Sequence, residues 1–254
     1  MTEYLDTPQG RRIAYNRLEG RGTGVVFLGG FRSDMQGTKA IALQDWAARA
    51  GVPFLRFDYS GHGESDGDFL DGSIGDWFAD ASAAITTLTR GPQVLVGSSM
   101  GGWISLLCAR AMPERVAGLV TIAAAPDFTQ IGYWDGFDAA QRAALLRDGR
   151  VDLPSEYSDE PYVITRRLIE NGRDNLVLDQ PLPLPFPVRF LQGTADQDVP
   201  VDWAMRLLGH AQGDDLRLTL VKGADHRFST PECLELIALT VGEVLEHARG
   251  RDRN

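Results

Sequence analysis

An apolar run at residues 94–96 passes directly into Gly97-Ser98-Ser99-Met100-Gly101-Gly102, and a second apolar stretch leaves it and continues to Ala111. A strand that turns into a helix this abruptly constrains the chain to layers of sheet and helix, because each must bury its apolar face on the other. The turn itself reads G-x-S-x-G. Its glycines leave room for a serine held in a strained conformation above the sheet, with the hydroxyl exposed. Ser99 is the candidate nucleophile. The helix that starts at Met100 then aims the Met100 N–H at the place where a tetrahedral oxyanion would form.

The alternation of strand and helix runs on either side of this turn. Strands are expected near 3–6, 12–16, 25–28, 54–57, 94–96, 188–191 and 216–221, with helices between the later ones. This pattern predicts a mostly parallel sheet covered on both faces, with the opening hairpin adding antiparallel edge strands. The helix after Ser99 should stop before Pro113, and the strand after it ends at Ile122-Ala123-Ala124-Ala125-Pro126. Beyond it the pattern changes. Residues 127–187 carry Tyr133, Trp134, Phe137, Tyr157 and Tyr162 and close on Pro181-Leu182-Pro183-Leu184-Pro185-Phe186-Pro187, a stiff extended connection. We read 127–187 as a helical cap, or lid, inserted into a core formed by 1–126 and 188–254. A chain of 254 residues suits one such domain.

A serine hydroxyl needs a base to remove its proton. There are four histidines. His226 lies on the short glycine-bearing loop Lys222-Gly223-Ala224-Asp225-His226 that leaves the alternating run at 216–221, and is the candidate base. His210 and His247 fall late in predicted helices, where the helix dipole favours an imidazolium. His62 follows the strand at 54–57 in Asp58-Tyr59-Ser60-Gly61-His62-Gly63-Glu64-Ser65 and is a candidate substrate contact. Asp196, Asp198 and Asp202 all follow the strand at 188–191, and periodicity does not separate them as the acid. The loop Gly29-Gly30-Phe31-Arg32 after the strand at 25–28 allows close backbone approach, which makes the Phe31 N–H the candidate second oxyanion donor. Arg32, Trp103, Trp134, Tyr157 and Tyr162 are further candidate substrate contacts, and Arg166 with Arg167 is a candidate carboxylate fork.

The stretches 30–40, Arg56-Phe57-Asp58-Tyr59-Ser60-Gly61, 91–103 and Asp225-His226-Arg227 together resemble the α/β-hydrolase superfamily. Within it they are similar to the branch that contains the mitochondrial acyl-glucuronide esterase, also described as a palmitoyl-protein thioesterase, and its bacterial relatives. The resemblance implies the α/β-hydrolase fold, with a mostly parallel central sheet, helices on both faces and a small helical cap insertion. It also implies the order Ser99, Asp196, His226, the acid being selected by the G-x-x-D-x-x-V-P pattern at 193–200. The implied chemistry is hydrolysis of carboxylic esters or fatty-acyl thioesters through an acyl-enzyme. The resemblance is weakest over 127–187, where substrate choice is shaped. Alternatives with the same three residues are a carbon–carbon bond hydrolase and a slow-turnover ligand-binding protein. Dehalogenase and epoxide hydrolase chemistry needs an aspartate where Ser99 stands.

A net charge of −10 argues against nucleic acid or an anionic membrane as partner. The expected partner is a small-molecule ester or acyl thioester, with an acylated protein as one candidate. No metal and no organic cofactor is expected. Cys108 and Cys233 are too few and too far apart for a disulfide framework or a zinc site. The first residues show neither a basic leader with an apolar run nor an arginine-rich presequence, so a cytoplasmic location with no stable membrane association is expected.

Overall fold

The structure, a computed structural model, describes residues 2–153 and 161–251. The strands are β1 (Glu3–Asp6), β2 (Arg12–Leu18), β3 (Val25–Leu28), β4 (Phe54–Phe57), β5 (Gln93–Ser98), β6 (Val116–Ile122), β7 (Arg150–Leu153), β8 (Tyr162–Thr165), β9 (Leu182–Pro183), β10 (Val188–Gly193), β11 (Ala211–Gln212) and β12 (Leu216–Val221). The α-helices are α1 (Thr38–Ala50), α2 (Ile74–Leu88), α3 (Met100–Ala111), α4 (Ala139–Asp148), α5 (Arg166–Arg173), α6 (Val201–His210) and α7 (Pro231–Arg251). Among the described residues, eight strands form one sheet in the order β1-β2-β4-β3-β5-β6-β10-β12. β1 and β2 pair antiparallel at one edge, β2 joins β4 antiparallel, and every pairing from β4 onward is parallel.

The central strands are apolar on both faces because helices cover both. Successive side chains point to opposite sides of a strand. Val26, Leu28 and Leu95 therefore join α2 and α3 through Ile74, Trp77, Ile85, Ile104 and Leu107. Val25, Phe27, Val94 and Val96 join α1 and α7 through Leu43, Ala47, Ile237 and Val241 on the other side. α1 ends as expected of a helix followed by glycine, with Gly51 left-handed at φ 64° and its N–H returned to the last turn.

Residues 127–187 connect β6 to β10. A wide π-helical turn (Thr129–Trp134) leads into α4, whose first turn carries a reciprocal capping box between Asp138 and Gln141. Besides its helices the insertion carries a short ladder that the sequence does not predict: β7 and β8 pair antiparallel, with Val151 facing Ile164. Arg-Val-Asp-Leu places polar and apolar residues alternately, and Tyr-Val-Ile-Thr is made of aromatic and β-branched residues, both of which suit a strand. The proline-rich closing segment is extended: Leu182 and Leu184 are fully buried while β9 pairs with β11. Asp127 fastens the two ends of the insertion. Its buried carboxylate accepts the N–H groups of Val177 and Leu178, both at 2.9 Å.

Candidate active site

β5 ends at Ser98, and the chain reverses into α3 through Ser99 with φ 54° and ψ −117°. A left-handed conformation is costly for a residue with a side chain, so it persists only where the surroundings dictate it. Here the Ser99 N–H is tied to the Ile122 carbonyl at 2.9 Å, and the Ser99 carbonyl accepts from Gly102 and Ala125. Gly101 lets α3 approach the end of β3, since a Cβ there would collide with the carbonyl oxygens of Leu28 and Gly29. The result is a half-buried serine above the edge of the sheet.

β10 and β12 bring the other two groups to it. Asp196 lies on the turn after β10, and its carboxylate is fully screened from solvent. Its Oδ1 accepts the N–H of Asp198 at 3.0 Å and of Val199 at 2.8 Å, while Oδ2 accepts Gln192 Nε2 at 2.9 Å. His226, on the loop after β12, meets Asp196 Oδ2 through Nδ1 at 2.9 Å and Ser99 Oγ through Nε2 at 3.1 Å. Because an ionised carboxylate only accepts, Nδ1 carries the hydrogen and Nε2 is left to accept the serine proton. Burial alone raises the Asp196 pKa, but the bonds from His226, Val199 and Gln192 outweigh it and hold the carboxyl below its ordinary value. Asp196 is thus ionised wherever the protein is folded at neutral pH. Asp198 is exposed and Asp202 sits in the first turn of α6, so of the three aspartates the structure joins Asp196 to the histidine.

The loop after β3 lies against the elbow. A Cβ on Gly30 would stand 3.5 Å from Ser99 Cβ. Neither the Phe31 nor the Met100 N–H donates to another described residue, which leaves both available to an oxygen above Ser99. A cavity of about 670 Å³ opens over the serine. Its lining includes the aromatic residues Phe31, Phe128, Tyr133, Tyr162 and Trp203 and the polar residues Asp34, Thr38, Lys39 and Arg227. Burial pushes the Tyr133 phenol up to about 12, so it remains protonated.

Of the expected substrate contacts, Arg32 and Tyr162 line this cavity and stack on each other with the Arg32 guanidinium 5.3 Å from the ring centre. Tyr157 lies outside the described residues. Three readings need correction. Trp103 is fully buried, donates to the Asn175 carbonyl and supports Phe128 from behind. Trp134 is turned away from the cavity, with Arg173 over its face at 4.4 Å and Arg142 at 5.4 Å. His62 is buried in an aromatic box and does not reach the cavity. Arg166 and Arg167 are likewise engaged elsewhere, with Glu170 and with Asp76. The sequence offered no sign of Gln192 or Lys39, because their partners arrive only when β10, α1 and the histidine loop come together. Asp196, Asp198 and His226 place potential metal-ligand atoms within 4.8 Å of one another, but Asp196 is already bonded to His226, and His226 to Ser99.

Residues 25–238 match the alpha/beta hydrolase family. The chain is similar to the mitochondrial palmitoyl-protein thioesterase ABHD10 of Rattus norvegicus, 34% identical over 96% of this chain and 82% of that protein. It superposes on alpha/beta hydrolase domain-containing protein 10 from mouse with a TM-score of 0.90 and 32% identity, covering 97% and 98% of the two chains. A protein of Agrobacterium vitis S4 with a known crystal structure gives a TM-score of 0.93 at 40% identity over 96% and 98%.

Proposed function

Because the chain belongs to the alpha/beta hydrolase family, we propose that it is a serine hydrolase cleaving carboxylic esters or acyl thioesters through an acyl-enzyme on Ser99. The observation that carries this reading is the continuous run of hydrogen bonds from Asp196 through His226 to Ser99 Oγ, at 2.9 and 3.1 Å. In the first half-reaction Ser99 Oγ attacks the acyl carbonyl as His226 Nε2 takes its proton. Asp196 fixes the tautomer and stabilises the imidazolium. The Phe31 and Met100 N–H groups hold the oxyanion. Collapse breaks the bond to the alcohol or thiol, which leaves with the proton from His226. Water then repeats the sequence on the acyl-enzyme and restores Ser99.

The aromatic part of the cavity lining suits the acyl group, since apolar rings remove it from water. The similarity to a palmitoyl-protein thioesterase supports an acyl thioester as substrate. In this reading residues 127–187 act as the cap over the serine.

A rate series on matched aryl esters and acyl thioesters of increasing chain length tests it, with Ser99→Ala as the blank. Ser99-dependent turnover is expected on at least one series, together with covalent labelling of Ser99 by a fluorophosphonate. An optimum at long thioesters assigns a depalmitoylating activity; one at short esters assigns a general esterase. Absence of Ser99-dependent turnover on both series would overturn the proposal in favour of carbon–carbon cleavage or ligand binding.

A further inference from the structure

His62 is buried, 4% exposed, yet it is neither a substrate contact nor part of the relay. Its Nε2 accepts the N–H of Arg32 at 3.3 Å, which requires the ring hydrogen on Nδ1, and Nδ1 lies 3.2 Å from the Ser60 carbonyl. The two bonds therefore agree on one tautomer. Tyr59, Phe69 and Trp77 meet the imidazole edge-on at 5.6, 5.1 and 5.1 Å and prevent it from turning. The Ser60 end is anchored as well: Trp77 Nε1 donates to the same Ser60 carbonyl, and the Ser60 N–H and hydroxyl both donate to Asp80, which is paired with Arg11.

At the other end of this bond Arg32 has φ 58°, a conformation a side-chain-bearing residue leaves unless something holds it. Gly30 and Ser33 close the same turn, the Gly30 carbonyl accepting both the N–H and the hydroxyl of Ser33. The peptide between Phe31 and Arg32 is thus fixed on one side by His62, and Phe31 is the residue whose N–H faces no protein acceptor among those described.

We propose that His62 is a positioning residue for the oxyanion loop, holding the strained Arg32 peptide so that the neighbouring Phe31 N–H stays directed at the carbonyl oxygen on Ser99. The assignment rests on the reading of Phe31 as an oxyanion donor. It also requires a neutral imidazole, since protonated Nε2 is a donor and would oppose the Arg32 N–H. Burial lowers the His62 pKa; the Ser60 carbonyl, Asp80 and Asp34 raise it and Arg32 lowers it, with a net shift downward that keeps the ring neutral.

Two variants test this with p-nitrophenyl butyrate as substrate and a trifluoromethyl ketone as an analogue of the tetrahedral state. His62→Phe fills the aromatic box without an acceptor, and His62→Gln keeps an uncharged acceptor near the Nε2 position. For His62→Phe we expect kcat to fall roughly 10- to 100-fold, less than outright loss of an oxyanion donor, with KM within about 2-fold. The ketone Ki should rise in proportion to the loss in kcat/KM, and His62→Gln should recover most of both. Unchanged kcat and Ki in His62→Phe, a loss of thermal stability alone, or a His62→Gln protein as impaired as His62→Phe would each overturn the assignment. If Ser99→Ala retains the turnover of the wild type, the hydrolase reading itself fails, whatever the His62 variants do.

Discussion

In the proposed mechanism Ser99 combines two demands that conflict, a side chain for chemistry and a backbone conformation that favours glycine. The strain at φ 54° is of the order of 1–3 kcal/mol, offset against a larger unfolded-state entropy when glycine replaces it. Ser99→Gly is therefore expected to be more stable than Ser99→Ala by about 1 kcal/mol in urea unfolding, although both lack the hydroxyl. Equal stability of the two would mean that the strain at the elbow is no larger than the entropy difference between alanine and glycine. Lys39 is a second residue at which position and ionisation are joined. Its Nζ donates to the Arg227 carbonyl at 2.5 Å, immediately beside His226, and burial pulls its pKa down to about 8 against an upward pull from Asp225 and a further downward push from Arg227. As the pH rises through about 8 the ammonium is lost, the hold on the histidine loop weakens, and kcat/KM should decline on the alkaline side. Lys39→Met should give lower, flatter activity across that range; a wild-type alkaline limb in this variant would exclude the role. The stability sign is opposite. A lysine whose folded pKa lies below the ordinary 10.5 is charged less readily in the fold than in the unfolded chain, so its burial is unfavourable below about 8 and that penalty lifts between about 8 and 10.5. Lys39→Met should thus lose activity at pH 7 without losing thermal stability.

At the scale of elements, the insertion is closed by Asp127 more than by its own secondary structure. Asp127→Ala strips two buried N–H groups, those of Val177 and Leu178, of their acceptor, and at ~1–3 kcal/mol for each unsatisfied group the loss should reach about 2–6 kcal/mol. Hydrogen exchange localises it: those two amides should lose protection well before the amides of β5 and β6. Uniform loss of protection across the sheet would show that the clasp does not act on the insertion alone. The same contrast explains what could be read in advance. The strands, the elbow and α3 are marked by contiguous apolar runs and glycines, signals that lie within a few residues of the structure they specify, and Pro113 marks the end of α3. Ser99, His226 and the loop of Phe31 sit at strand ends, and so were legible from the same runs. Asp127, Gln192 and His62 were not, because each acts on a partner from another element: Val177 for the first, the turn beyond β10 for the second, the loop after β3 for the third. Trp103 and Trp134 show the other limit. Aromaticity predicts burial without saying which wall is buried, and these two were drawn to α3 packing and to arginine faces. The β7–β8 ladder escapes sequence reading for a related reason, since four-residue strands are too short to outweigh the helix-forming run of α4 that precedes them.

For the whole molecule the charge distribution sets a limit on acid stability. Beside the far edge of the sheet, β10 is joined to α7 by Arg189, whose side chain is 4% exposed and pairs with Asp215 at 2.9 Å and Glu243 at 2.7 Å. For Asp215 burial opposes ionisation, but Arg189 outweighs it; for Glu243 the bond from Arg189 is the leading cause, and both carboxyls are held below their ordinary values of 3.8 and 4.5. A carboxyl depressed in the fold contributes stability that is present above its ordinary pKa and is lost as the pH falls through the folded value. Asp58 and Asp127 work the other way. Burial raises both despite their backbone N–H partners, so they take up protons earlier in the fold than in the unfolded chain and favour it as the pH descends toward 3.8. Between pH 7 and 5 the net charge of −10 also diminishes, which relieves self-repulsion. His62 opposes these gains, because its lowered pKa lets the unfolded chain take up a proton below the ordinary 6.5 before the fold does; the urea midpoint should therefore change little from pH 7 to about 5 and fall steeply only below the ordinary carboxylate values. Arg189→Met separates the contributions. It removes the common partner of Asp215 and Glu243 while Arg217, exposed and bonded to both, keeps part of the pairing. The variant should show a shallower decline in midpoint below pH 4.5 than the wild type, with the level region above pH 5 unchanged in shape. An identical acid limb in the two proteins would assign acid unfolding to groups other than this network, Asp196 and Asp76 being the remaining depressed carboxylates that bind two parts of the fold together.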